Sequence, residues 1–200
     1  MVLFIDACVR EESRTRELAE FLLEHLDQSI EKIYLPEADV PELTREALAR
    51  RTNACGRGDF SLSEFEYAKQ FAAADTVVIA APHWDLSFPA ILKRYIEAIC
   101  VTGITFRYSE TGAPIGLCRA KDLFFVTSSG GAIFNPAFGY GYIEMLAKGM
   151  FGIKNTAMFS AENLDIVGND PQQIINSSKR TIEEWFMVSY GQHAKAVRCP

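Results

Sequence analysis

Short apolar runs recur along this chain, and a stretch of helical periodicity separates each from the next. The runs cover residues 2–7, 32–35, 76–80, 122–127 and 156–160. The first, Val-Leu-Phe-Ile-Asp-Ala, is apolar except for one acid, Asp6. A strand with that composition must be covered on both faces, as central strands of parallel sheets are. Between the runs, Leu18, Phe21, Leu22 and Leu26 repeat at helical spacing, as do Ile91, Tyr95, Ala98 and Ile99. Ser61-Leu-Ser-Glu64 reads as a capping box opening a helix through Phe65, Ala68 and Ala72. Pro89 suits the first turn of the next helix. Asn135-Pro136 and Asp170-Pro171 each read as a cap followed by a first-turn proline. The former opens a helix to about Met150. The latter opens the last helix, with Ile174, Ile175, Ile182, Trp185 and Phe186. Residues 191–200 read as a frayed tail.

This alternation implies an α/β fold: a doubly wound, five-stranded parallel sheet with helices on both faces, in one domain over residues 1–200. The expected strand order is 2-1-3-4-5, with the switch point between strands 1 and 3. Residues 36–60 hold Pro36, Pro41, Gly56 and Gly58. They read as an insertion with one helical piece near 42–51.

Charge and cysteine usage narrow the function. A net charge of -6 argues against nucleic acid as partner, because phosphate contacts need a basic surface. No run of 18 apolar residues occurs, so no membrane span is expected. The start reads as a strand rather than a signal peptide, and Cys8, Cys55, Cys100, Cys118 and Cys199 form no CxxC pair. Free thiols and a cytoplasmic location are the expectation. His25, His83 and His193 lie far apart, and neither histidines nor cysteines show metal-ligand spacing, so no metal is expected.

Three loops fall at one edge of such a sheet. In the first, Ser13 and Thr15 stand at a helix start, where hydroxyls, free N–H groups and the helix dipole can hold a phosphate. Arg10 or Arg14 could add charge-assisted hydrogen bonds. Ser13 reads equally as a plain N-cap. The loop is not a P-loop and has no GxGxxG. The second loop is Pro82-His83-Trp84-Asp85-Leu86-Ser87-Phe88. Trp84 and Leu86 offer apolar area to a planar ring, and backbone groups could bond its polar edge. Core or subunit packing is the competing reading for Trp84 and Phe88, and a structural or solvated role for His83. The third is Thr127-Ser128-Ser129-Gly130-Gly131. Its glycines let the backbone approach a ligand and present N–H groups, though a plain strand-to-helix turn would read the same.

These residues resemble the flavodoxin-like NAD(P)H-dependent reductases, specifically the FMN-dependent azoreductase and quinone reductase family. Pro82, Asp85, Leu86, Pro89, Leu92 and Lys93, then Gly103, Thr105, Phe106 and Tyr108, match its Pro-x-x-Asn-Phe-x-x-Pro-x-x-Leu-Lys and Gly-x-Thr-Phe-x-Tyr segments. The third loop is similar to its Thr-Ser-Arg-Gly-Gly, and Ser13-Arg14-Thr15 to its Ser-x-Ser phosphate loop. The resemblance implies that Ser13, Arg14 and Thr15 hold the FMN phosphate, beside Arg10 from the reading of the loop itself. Pro82, His83, Trp84, Asp85 and Leu86 would line the isoalloxazine. Ser128, Ser129, Gly130 and Gly131 would contact its pyrimidine edge, and Tyr108 would lie near a substrate pocket at a subunit interface. Departures are Asp85 for the usual Asn, Ser129 for Arg, and a phosphate loop one residue shorter with Cys8 where serine is common.

The resemblance implies an FMN-dependent oxidoreductase with NADH or NADPH as co-substrate. It would transfer a hydride through flavin N5 to a small-molecule acceptor of quinone or azo type, in ping-pong order, with no side-chain nucleophile. A homodimer is implied, to which Phe134, Phe138, Tyr140 and Tyr142 could contribute, with core packing an equal reading for each. Two alternatives stand beside it: a flavodoxin-type electron-transfer protein, and a flavodoxin-like module that has lost catalytic flavin.

Overall fold

The computed structural model describes the backbone of residues 1–196 and side chains as far as Val188. His193 and Cys199 therefore lie outside the described side chains. The strands are β1 (Val2–Asp6), β2 (Ile30–Tyr34), β3 (Thr76–Ala80), β4 (Phe106–Tyr108), β5 (Pro114–Gly116), β6 (Asp122–Ser128) and β7 (Asn155–Ala161). The helices are α1 (Arg14–Leu23), α2 (Arg45–Gly56), α3 (Glu66–Ala73), α4 (Ala90–Ile99), α5 (Tyr140–Leu146) and α6 (Pro171–Ala196). Five strands form one parallel sheet in the order β2-β1-β3-β6-β7. This is the expected 2-1-3-4-5 pattern, because β4 and β5 form a separate antiparallel hairpin outside it.

The burial pattern follows from the apolar runs. Every residue of β1 and β3 is buried, whereas the edge strand β2 buries only Ile33. Alternate residues serve opposite faces. Leu3, Ile5, Val77, Ile79, Leu123 and Phe125 pack with Phe71 of α3, with Leu92, Tyr95 and Ile99 of α4, and with Ile143 of α5. Val2, Phe4, Val78, Phe124 and Val126 pack with Leu18 and Leu22 of α1 and with Ile175, Ile182 and Phe186 of α6. Two cores on one sheet make the doubly wound architecture.

Local chemistry moved several boundaries. The helix in the insertion lies at Arg45–Gly56, later than expected, because the Thr44 hydroxyl caps it by accepting from the Ala47 N–H at 3.2 Å. The Ser61–Glu64 box does not form. Ser61 is taken by Asp59, which accepts from both its N–H at 3.0 Å and its hydroxyl at 2.6 Å. A 3-10 turn, Ser63–Phe65, leads into α3 with no side-chain cap. Asn135 caps a 3-10 turn, Pro136–Phe138, ahead of α5, and a π-helical turn, Ala147–Phe151, follows it. Asp170 caps α6 as expected, accepting from the Gln172 and Gln173 N–H groups at 2.9 and 3.3 Å. That helix runs on to Ala196, past the expected start of the tail at 191.

The hairpin was not expected, since three-residue strands are too short to show a period. Its seat is a backbone contact: a Cβ on Gly116 would collide with Phe151 and Gly152. Gly152 itself has φ 80, ending the π-helical turn in the left-handed region. The Cys118 N–H donates to the Phe151 carbonyl at 3.3 Å.

Candidate functional site

The sheet register brings the three loops together. Asp6 of β1 pairs with Ala80 of β3, and Ala80 with Val126 of β6. The Ala7 N–H donates to the Ala80 carbonyl at 2.8 Å, and the His83 N–H to the Ser128 carbonyl at 2.9 Å. The carboxyl ends of β1, β3 and β6 thus open on one crevice at the switch point.

In the β1–α1 loop, Ser13 is the N-cap of α1, its hydroxyl oxygen accepting from the Arg16 N–H at 3.3 Å. The cap reading is therefore realised, and the same side chain hydrogen-bonds Cys8. The Thr15 hydroxyl is buried and bonds the Ser128 hydroxyl at 2.6 Å, tying the first loop to the third. Among the described residues, the N–H groups of residues 9–15 have no intramolecular acceptor. A run of unspent N–H groups at a helix start is suited to an anion. The loop carbonyls are occupied instead. Arg16 donates to those of Cys8, Glu11 and Arg10, and its Nε donates to Asp6 at 2.6 Å.

The second loop is a tight reversal. Trp84 and Ser87 exchange backbone hydrogen bonds at 3.0 and 2.8 Å. Asp85 and Leu86 between them have φ 51 and 66, both left-handed. Asp and Asn tolerate that region because their short polar side chains bond locally; Leu occupies it at a cost of about 1–2 kcal/mol. An acid at position 85 therefore meets this backbone demand as an amide would. The Asp85 and Leu86 side chains are exposed. The Ser87 hydroxyl donates to the Phe138 carbonyl at 2.6 Å, and Phe88 packs on Tyr142 with ring centroids 5.9 Å apart. The packing reading thus holds for Phe88.

The third loop is zippered to the β7–α6 connection. N–H groups of Asn163, Leu164 and Asp165 donate to the carbonyls of Gly131, Ser129 and Gly130 at 3.0–3.2 Å. Among the described residues the Gly130 and Gly131 N–H groups keep no intramolecular acceptor. A Cβ at position 130 would meet the exposed Asp165 carboxylate, which would have to move aside.

A cleft of about 720 Å³ lies among these loops, within the size range of small-ligand sites. Arg10, Ser13, Arg14, Thr15, Pro82, His83, Trp84, Ser128, Ser129 and Gly130 are on its wall. Asp85, Leu86 and Gly131 are not, although they belong to its loops. Tyr108 stands apart on the hairpin, 56% exposed. Cys8, which the sequence placed in the phosphate loop, is on the wall too, and Val9, Glu12, Glu17, Leu164, Asp165 and Gln172 complete it without having been expected. The missed supports were Asp6 and Arg16. Their signal was present, since an acid in a buried strand needs a cationic partner.

Charge in the cleft is mixed. The Arg10 guanidinium lies 5.9 Å from the Trp84 ring centre, across the mouth. Arg14 pairs with Asp165 at 3.0 Å, and Glu17 with Lys179 at 2.8 Å. Burial pushes the Cys8 thiol up to about 12. It is protonated at neutral pH and is not a nucleophile. Among the described wall residues no nucleophile–base pair is formed. Its donors suit binding of a phosphate at one end and of a polar-edged ring at the other.

Comparison with known proteins bears on the family and the fold. The model of the flavodoxin-like fold family matches residues 1–186. An FMN-dependent NADH:quinone oxidoreductase 2 of Clostridium acetobutylicum is 40% identical, over 92% of this chain and 94% of that protein. An FMN-dependent NADH:quinone oxidoreductase of Coprothermobacter proteolyticus is 33% identical, over 87% of this chain and 90% of its own length. Among solved structures, the azoreductase from Bacillus anthracis is 25% identical, covers 92% of this chain and 96% of its own, and superposes with a TM-score of 0.77. The chain belongs to the flavodoxin-like fold family, in the group that includes the FMN-dependent NADH:quinone oxidoreductases.

Proposed function

We propose that this protein is an FMN-dependent NAD(P)H oxidoreductase reducing quinones or azo compounds. The observation that carries the reading is the set of unspent N–H groups at residues 9–15, in a loop that walls one cleft together with Trp84 and Gly130, whose own N–H is also unspent. A phosphate fits the first set, with Arg10 and Arg14 adding charge-assisted bonds worth about 1.5–3 kcal/mol each. Pro82, His83 and Trp84 supply a partly apolar wall for the ring, extended by Leu86. The Gly130 and Gly131 donors suit its pyrimidine edge, where negative charge gathers on reduction. When bound, FMN supplies the redox chemistry: a hydride accepted at N5 from the nicotinamide and two electrons passed on to the acceptor, in ping-pong order. The side chains position the bound groups and stabilise charge.

The names of relatives 40% and 33% identical over most of their length support this reading, and they favour NADH. A homodimer fits the apolar side chains around the cleft, since Leu86, Phe134 and Phe138 are 67%, 92% and 63% exposed. We place the enzyme in the cytoplasm, a reading its free Cys8, Cys55, Cys100 and Cys118 support. Among the described residues no helix is long and apolar enough to cross a membrane.

The test is the absorbance spectrum of the purified protein, the identity of its extracted flavin, and NADH oxidation with a quinone or azo dye. A yellow protein that releases FMN and turns over supports the reading. A colourless protein that takes up no flavin and oxidises no NAD(P)H overturns it. Slow reaction with nicotinamide despite bound FMN would favour an electron carrier.

A further inference from the structure

Arg16 sits beside the phosphate-suited loop but spends its donors on the protein. Its Nε donates to Asp6 Oδ2 at 2.6 Å, and its terminal nitrogens donate to the carbonyls of Cys8 at 2.7 Å, Glu11 at 2.8 Å and Arg10 at 3.3 Å. Asp6 is fully buried at the end of β1, and its Oδ1 accepts from the Cys8 N–H at 3.0 Å. Lys32 approaches the same carboxylate at 3.2 Å, and the Tyr34 ring lies 5.1 Å from the guanidinium.

The C=O and N–H of one peptide unit point in opposite directions. Drawing three carbonyls of the loop onto one guanidinium therefore turns the N–H groups of Val9, Glu11 and Glu12 the other way. Those groups, with the N–H groups of Arg10 and of residues 13–15, are the loop donors left without an acceptor among the described residues. A flexible loop would have to be ordered by its ligand; this one is held beforehand, which lowers the cost of binding. The planar fork matters more than the charge, because an ammonium cannot reach carbonyls spread over residues 8, 10 and 11 while remaining on Asp6.

We propose that Asp6 and Arg16 are positioning residues for the flavin phosphate: Arg16 never touches the ligand, and it sets the orientation of the N–H groups that do. The proposal rests on the FMN reading above. It assigns Arg16 to affinity for the phosphate and not for the ring, which separates it from a merely structural role.

The experiment measures dissociation constants of FMN and riboflavin for the wild type, R16K, R16Q and K32M, with thermal unfolding alongside. Riboflavin has the same ring and no phosphate. The expected result is a loss of FMN affinity of about tenfold or more in R16K, with riboflavin affinity changed less than about twofold. K32M touches Asp6 but not the loop, and its FMN-to-riboflavin ratio should match wild type. An R16K ratio equal to wild type, or an equal loss for both flavins, overturns the positioning role. R16K keeps the charge beside Asp6, so it decides the matter even if R16Q fails to fold. Wild-type protein that binds neither flavin would overturn the proposed function instead.

Discussion

Arg51 in the insertion and Arg16 in the β1–α1 loop use the same grip to different ends. Arg51 is 9% exposed and donates to the carbonyls of Glu97 at 3.1 Å, Ala98 at 3.5 Å and Cys100 at 3.2 Å. These belong to the end of α4, whose last turn has no basic residue of its own. Arg51 thus closes a helix terminus that would otherwise leave carbonyls orphaned. Among the described residues no carboxylate pairs with it. Arg16 grips loop carbonyls and is anchored on a buried acid, and what it leaves behind is a row of unspent donors. One arginine finishes a scaffold; the other leaves a surface unfinished so that a ligand can finish it.

The strongest test of that contrast is Arg51→Met. Losing the charged donors strands buried carbonyls, and we expect a loss of about 3 kcal/mol in urea unfolding. The FMN-to-riboflavin affinity ratio should stay at the wild-type value. A shift in that ratio as large as the one expected for R16K would erase the distinction between the two regions.

The next test concerns Cys8, whose carbonyl Arg16 holds. Burial raises its thiol from 9.0 to about 12, so the folded chain favours the protonated form. The stability this supplies is intact below pH 9.0 and is lost as pH climbs toward about 12. Urea midpoints at about pH 8 and about pH 10.5 should fall less for Cys8→Ala than for wild type. Equal falls would mean that the thiol is not shielded in solution.

A smaller effect is expected at Asp165. Its pair with Arg14 is exposed on both sides, so breaking it costs well under about 1 kcal/mol of stability. Asp165→Asn removes a negative charge from the cleft wall and frees Arg14. FMN should bind about two- to fivefold tighter at low salt, with riboflavin unchanged and the gain fading as salt rises. Weaker FMN binding would show that the placement of Arg14 by its pair with Asp165, and not net charge, dominates there.

The smallest is Tyr95→Phe, in the same helix that Arg51 closes. The Tyr95 hydroxyl is buried without a partner in the structure. Removing it should leave stability unchanged or raise it by up to about 1 kcal/mol. A loss beyond that would reveal a bridging water.

The sheet was legible in the sequence because its central strands are buried on both faces, leaving unbroken apolar runs. Ser13 and Asp170 were legible as caps because capping is a local interaction. What escaped depended on contacts between distant segments. Arg16 reads as one more charge on an amphipathic helix until β1 places Asp6 beneath it. The Asp165 loop is far in sequence from Gly130, and only the pairing of β6 with β7 brings its N–H groups to the glycine loop. Ser61 failed as a cap because Asp59, two residues away, competes for both its donors. At Asp85 the chemical difference from Asn was visible, whereas the left-handed backbone that accepts either residue was not.

The seat of the hairpin at Gly116 sets a rule for anyone exchanging parts among such proteins. Tyr108 is carried by a unit bolted, backbone against backbone, to the turn that ends at Gly152. Transplanting residues 106–116 alone would bring a new strand edge against a foreign turn, with no side chain available to cushion a mismatch. The exchangeable module is therefore discontinuous: the hairpin and the 147–152 turn have to travel together, with both glycines retained.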